Sequence, residues 1–165
     1  MIQHFVIMGV SGCGKSSIGA AFAAAIGGLF IDGDDLHPAA NVTKMASGQP
    51  LSDEDRAPWL VKVGQTLQIG TGPMVIGCSA LKRRYRDVIR TVADQPVMFV
   101  HLAGTHEVLL ARMAVRTGHF MPPSLLESQL AALEPPSLDE AAITVDIDQT
   151  PQAIVQEILG KTGNP

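Results

Sequence analysis

The chain has 165 residues, 46% hydrophobic and 17% charged, which allows one substantial core and leaves too little for a second. Its formal net charge of −4 lacks the cationic footprint that displaces counterions from nucleic acid, which excludes that partner class. The apolar start Phe5-Val6-Ile7-Met8 ends too early at Gly9 for a signal peptide or membrane span, and Cys13 and Cys78 have neither metal nor disulfide spacing.

A single cytoplasmic domain over residues 1–165 is therefore expected. Short β-branched or apolar runs at Gln3–Met8, Leu29–Asp32, Met74–Cys78, Val97–Leu102 and Ala142–Ile147 alternate with helical patterns. That alternation predicts an α/β fold, a five-stranded parallel sheet flanked by helices. The first helix is predicted from Lys15 to Ile26, with Ile18, Phe22 and Ile26 four apart and Gly27-Gly28 as its stop. A second begins near Ser52–Arg56. If Ser52 is its cap, Pro58 lies inside the helix and bends it; if Asp55 is, the proline falls in the first turn, where no amide is needed. Further helices are predicted over Ala80–Val92, from the cap Thr105 to about Arg116, over Ser124–Leu133, and from Thr150-Pro151 onward. Residues 116–123 break the pattern and read as a mobile lid.

Gly9-Val10-Ser11-Gly12-Cys13-Gly14-Lys15-Ser16 fits G-x-x-x-x-G-K-[ST], between a strand and a helix as that motif requires. Backbone amides over Gly9–Ser17, the helix N-terminus and the Lys15 ammonium can all point at a polyphosphate, so ATP is the expected nucleotide. The Ser16 hydroxyl suits Mg²⁺, a hard cation that prefers oxygen. Past the second strand, Asp32 and Asp34 lie where parallel sheets bind ligands. Alternation along an extended segment puts them on one side. Asp32 is assigned to the outer sphere of the metal through water, and Asp34 to the proton of an acceptor hydroxyl. Arg116 is the candidate for neutralising charge on the transferring group, and Arg112, one turn earlier, for contacting the nucleotide. Lys15, Asp34 and Arg116 thus form the catalytic set. Lys82-Arg83-Arg84-Tyr85-Arg86 concentrates cations and reads either as a solvated helix face or as an anion-binding surface.

With these residues in place, the chain resembles the gluconokinase family, P-loop kinases related to shikimate and adenylate kinases. The resemblance covers most of the chain. It rests on the phosphate loop, Asp32-Gly-Asp34 with Leu36-His37-Pro38 and Asn41, Lys44-Met45, Gly48, Pro50-Leu51, Asp55-Arg56 with Pro58-Trp59-Leu60, Cys78-Ser-Ala-Leu-Lys82 with Tyr85-Arg-Asp87, His119-Phe-Met121, and Ser128-Gln129 with Leu133-Glu134-Pro135. It implies the P-loop NTPase fold, ATP-dependent phosphorylation of D-gluconate at its terminal hydroxyl to 6-phospho-D-gluconate, and a cytoplasmic homodimer. A polyol acid needs cations for its carboxylate and mixed donors and acceptors for its hydroxyls. By similarity Arg56 and Lys82 lead among the substrate residues, with Arg86 and His37 beside Asp34 as further candidates. Trp59 reads as core. Ser17 departs from the threonine that many relatives carry, without touching the metal ligand at Ser16.

Overall fold

Parallel pairing joins five strands into one sheet in the order β2-β3-β1-β4-β5. They are β1 (His4–Met8), β2 (Leu29–Asp32), β3 (Met74–Gly77), β4 (Val97–Ala103) and β5 (Ala142–Asp146). The coordinates are a computed structural model that describes residues 2–115 and 123–164. Register is set at the N-terminal ends, where His4 of β1 faces Met74 of β3 and Val97 of β4. Every residue of β1 is buried, as a central parallel strand covered on both faces must be. Because side chains alternate, Phe5 and Ile7 join one core with Val75, Val100 and Leu102, while Val6 and Met8 join a second with Ile76 and Phe99.

Helices close both faces. On the first, α1 (Lys15–Ala25) supplies Ile18 and Phe22, and α7 (Pro151–Thr162) supplies Ile154 and Ile158. On the second, α3 (Asp53–Gln68) supplies Trp59, Val63 and Leu67, and α4 (Arg83–Ala93) supplies Tyr85 and Ile89. The remaining helices are α2 (Ala39–Ala46), α5 (His106–Ala114) and α6 (Pro123–Ala132). Among the described residues no helix is long and apolar enough to cross a membrane.

The alternative at Pro58 is resolved in favour of Ser52. Its hydroxyl accepts from Asp55 N, and the Asp55 carboxylate accepts from Ser52 N, a reciprocal capping box that leaves Pro58 inside α3. Ser52→Ala is expected to cost about 1 kcal/mol, the usual worth of such a cap, read as a lower urea midpoint at unchanged m-value.

Two helix expectations are corrected. α4 starts at Arg83 instead of Ala80, because Ala80 takes φ 43° and Lys82 is extended, so 79–82 lie outside the helix. α2 was not anticipated: its N-cap Pro38 offers no side-chain acceptor, and only the Gly48 stop, at φ 82°, resembles a boundary signal.

Candidate active site

Loops after β1, β2 and β3 meet beyond the C-terminal ends of the central strands. The chain leaves β1 toward β2 but leaves β4 toward β5, so a crevice opens beside β1, the place where open parallel sheets take ligands.

In the first loop, Cys13 N donates to Val10 O at 3.3 Å and closes a turn around Ser11 and Gly12. Gly14 then adopts φ 96°, ψ 23°, a conformation costly for any side chain, and launches α1. The first-turn amides of Lys15, Ser16 and Ser17 have no acceptor within the helix and add to its positive end. Val10 and Cys13 bury their side chains in the core, which leaves only their backbone to face a ligand. Lys15 Nζ donates to Gly9 O at 3.0 Å and Val10 O at 3.1 Å, folding the ammonium over the loop.

The second loop docks onto the first. Ser16 Oγ donates to Asp32 Oδ2 at 3.4 Å, and Asp32 Oδ1 accepts from Asp34 N at 2.9 Å. The extended segment that was to align the two carboxylates ends at Asp32. Gly33–Leu36 is a 3-10 turn, and the carboxylates approach because Asp32 caps it. A Cβ on Gly33 would lie 2.3 Å from Gly77 O, so only glycine lets this turn sit against the end of β3. Trp59 Nε1 donates to Gly33 O at 2.7 Å from the other side. Trp59 is therefore core, as expected, and also braces the turn. Partial burial, and then the neighbouring Asp32 carboxylate, push the Asp34 pKa above the ordinary carboxylate range, against the pull of Lys15 and His37.

His37 stacks on Trp59, with ring centroids 4.1 Å apart and planes 16° off parallel. Buried Asn41 donates through Nδ2 to Asp55 O at 2.8 Å, which fixes the orientation of its amide. The same Nδ2 lies 3.2 Å from His37 Nδ1, so Nδ1 is the acceptor and Nε2 carries the proton. Burial lowers the His37 pKa and favours this neutral form; Asp34 opposes the shift and Arg56 adds to it. Asp55 also binds Lys44 Nζ at 2.6 Å, and that contact, ahead of its bonds to Ser52, holds its pKa at about 2.

Arg56 from α3 and Lys82 at the cap of α4 converge on one ring: the Arg56 guanidinium carbon lies 5.6 Å, and Lys82 Nζ 5.8 Å, from the Tyr85 centroid. The Tyr85 hydroxyl donates to Asp53, which also pairs with Arg84. Lys15, Asp34, His37, Arg56 and Lys82 thus come from distant segments into one region.

Arg86 does not join them. Its side chain is fully buried, with Nε 2.7 Å and Nη2 3.0 Å from the equally buried Glu140 carboxylate. Its other donors reach Ala80 O at 2.9 Å, Leu81 O at 3.3 Å and Glu134 O at 2.9 Å. The expected substrate role is corrected: Arg86 holds the strained turn at Ala80 that presents Lys82. Spacing carried the signal, since Arg86 stands three and seven positions before Ile89 and Ala93 on the buried face of α4. Arg112 donates to Ile147 O and, at 3.5 Å, to Gln149 O, committing one guanidinium arm to the loop after β5. Arg116 and the lid expected at 116–123 fall, but for Pro123, outside the described residues. Asn41, Tyr85 and Gln129 were not singled out for a role, because a polar or aromatic residue on a helix carries no periodicity that marks its partner.

A shikimate kinase family model matches residues 11–162. Thermosensitive gluconokinase of Escherichia coli (strain K12) is 49% identical over 150 residues, 88% of this chain and 80% of that protein. Gluconokinase of Gluconobacter oxydans (strain 621H) is 46% identical over 161 residues, 95% of this chain and 89% of that protein. The crystal structure of a gluconokinase from Sinorhizobium meliloti 1021 has a TM-score of 0.90 at 49% identity, covering 97% of this chain and 91% of that one.

Proposed function

The chain belongs to the gluconokinases, a branch of the shikimate kinase family, and from that premise we propose that it passes the γ-phosphate of ATP to the terminal hydroxyl of D-gluconate, giving 6-phospho-D-gluconate. One observation carries the reading: Asp34, a carboxylate of raised pKa, feels both Lys15 of the phosphate loop and His37, His37 feels Arg56, and Arg56 gathers with Lys82 on Tyr85. A sugar acid has its charge at one end and its reacting hydroxyl at the other, and such a site addresses both ends.

In this reading the loop Gly9–Ser17 grips the phosphates through Lys15 and its backbone amides other than that of Ser11, which donates to Gln129, with Arg112 and Arg116 adding charge at the nucleotide. Arg56 and Lys82 hold the gluconate carboxylate, and His37 Nε2–H donates to a hydroxyl. Asp34 accepts the proton of the attacking hydroxyl as its oxygen bonds to the γ-phosphorus and the bond to ADP breaks. The adjacent Ser16 and Asp32 oxygens fit a hard cation, so Ser16 would ligate Mg²⁺ and Asp32 would hold it through water. That ion would neutralise phosphate oxygens. A cytoplasmic homodimer, as expected from the resemblance, completes the proposal.

Coupled ADP release tests it across D-gluconate, its epimers, shikimate and nucleoside monophosphates. Turnover is expected with gluconate at least about a hundredfold above shikimate, since a site built for one set of hydroxyls leaves buried polar groups unpaired with another. Equal or faster turnover of shikimate would overturn the assignment.

A further inference from the structure

Gln129 makes a bond that none of the roles above uses. Its Oε1 accepts from the backbone N–H of Ser11 at 2.7 Å, across 118 positions of sequence. Ser11 is a central residue of the Val10–Cys13 turn, the part of the phosphate loop outside the helix. Gln129 Oε1 is the acceptor that this amide finds within the protein.

Gln129 is also rigidly based. Leu126, three positions earlier on α6, is fully buried in the core that contains Val10 and Cys13, and Leu130 and Leu133 pack against that core. Just past α6, Glu134 grips the turn that carries Lys82. Glu134 N donates to Leu81 O at 2.7 Å, and Glu134 Oε1 accepts from Arg83 N at 2.9 Å. The latter bond supplies the α4 N-terminal cap that Lys82 does not.

We infer that α6 is a strut holding the phosphate loop in register with the Lys82 turn, and that Gln129 and Glu134 are its positioning residues. The inference rests on the proposed function only for the identity of the acceptor. Displacing reacting groups by about 1 Å can cost on the order of 10²-fold in rate, so a strut between the two ends of the transfer bears directly on turnover.

The test uses the full-length protein and the variants Gln129→Met, which keeps the stem and removes the acceptor, Glu134→Ala, their combination, and Glu134→Gln, which keeps an acceptor for Arg83 N–H. Ser11 amide exchange by NMR and the ATP dissociation constant are measured without acceptor, then kcat and both KM values with it. Gln129→Met is expected to speed Ser11 exchange and weaken ATP binding roughly two- to tenfold, the worth of one net hydrogen bond, and to lower kcat while the melting temperature falls by no more than about 2–4 °C. Glu134→Gln should match the parent, and the double variant should lose less in kcat than the product of the single losses. Unchanged Ser11 exchange in Gln129→Met, or strictly multiplicative losses, would overturn the strut. Exchange and ATP binding need no sugar acid, so absent gluconate turnover would count against the proposed function while leaving this inference open to its own test.

Discussion

Asp34→Asn is expected to lower kcat by about 10²- to 10⁴-fold, the range that a positioned general base contributes, while the KM for ATP stays nearly constant. The asparagine keeps the shape of the side chain and its place in the 3-10 turn, so the loss isolates proton acceptance. Steady-state kinetics with both substrates varied checks it. An equal loss of nucleotide affinity would move Asp34 to the metal. The wild-type pH profile carries a second signature. In its proposed role Asp34 must be ionised, and its pKa is raised by burial and by Asp32, so the acid limb of kcat/KM should lie above that of an ordinary carboxylate. Asp32→Asn removes the like charge and should shift that limb toward lower pH, whatever it does to the plateau.

Arg86→Ala should destabilise the fold by roughly 3 kcal/mol, the low end of what breaking a buried ion pair costs, because the buried Glu140 carboxylate keeps only Arg90 and Ser137 N as partners and the carbonyls of Ala80 and Glu134 lose a donor. Urea unfolding measures it, and Arg86→Met combined with Glu140→Leu should recover part of the loss, since the buried carboxylate is gone while Arg90, its other partner, keeps Asp87. The pH dependence follows from Glu140, whose pKa is depressed from 4.5 to about 2 by Arg86 first, against its burial, with Ser137 N and Arg90 adding to the shift. A depressed carboxylate contributes stability that is complete above its unfolded value and lost as pH falls through its folded value. The gap between wild type and Arg86→Ala should therefore narrow from about 4.5 down to about 2. A gap constant through that window would mean that Arg86 acts by packing alone.

Residue order was enough to read the strand pattern, the glycine-rich loop and most helix starts, because each depends on neighbours a few positions away. β2 spans the predicted Leu29–Asp32, and Thr105 and Thr150 cap α5 and α7 through their hydroxyls. The loop motif needs only a strand, a turn of amides and a helix start, all contiguous in the chain. Where the local signal was weak, the reading failed: α2 begins on a proline without a capping side chain, and the α4 boundary depends on a left-handed alanine held by Arg86.

Charge type is written in the chain, but its use is decided by what faces it after folding. Arg56, Lys82 and Arg86 look alike in sequence. The first two meet at Tyr85, while Arg86 turns inward to a carboxylate 54 positions away. Likewise Asn41 sets the proton of His37 only because α2 packs its amide between that ring and the Asp55 carbonyl. Local rules govern φ, ψ and periodicity over a turn or two, whereas the desolvation and pairing that make a cation structural or functional arise only when distant segments exclude water together.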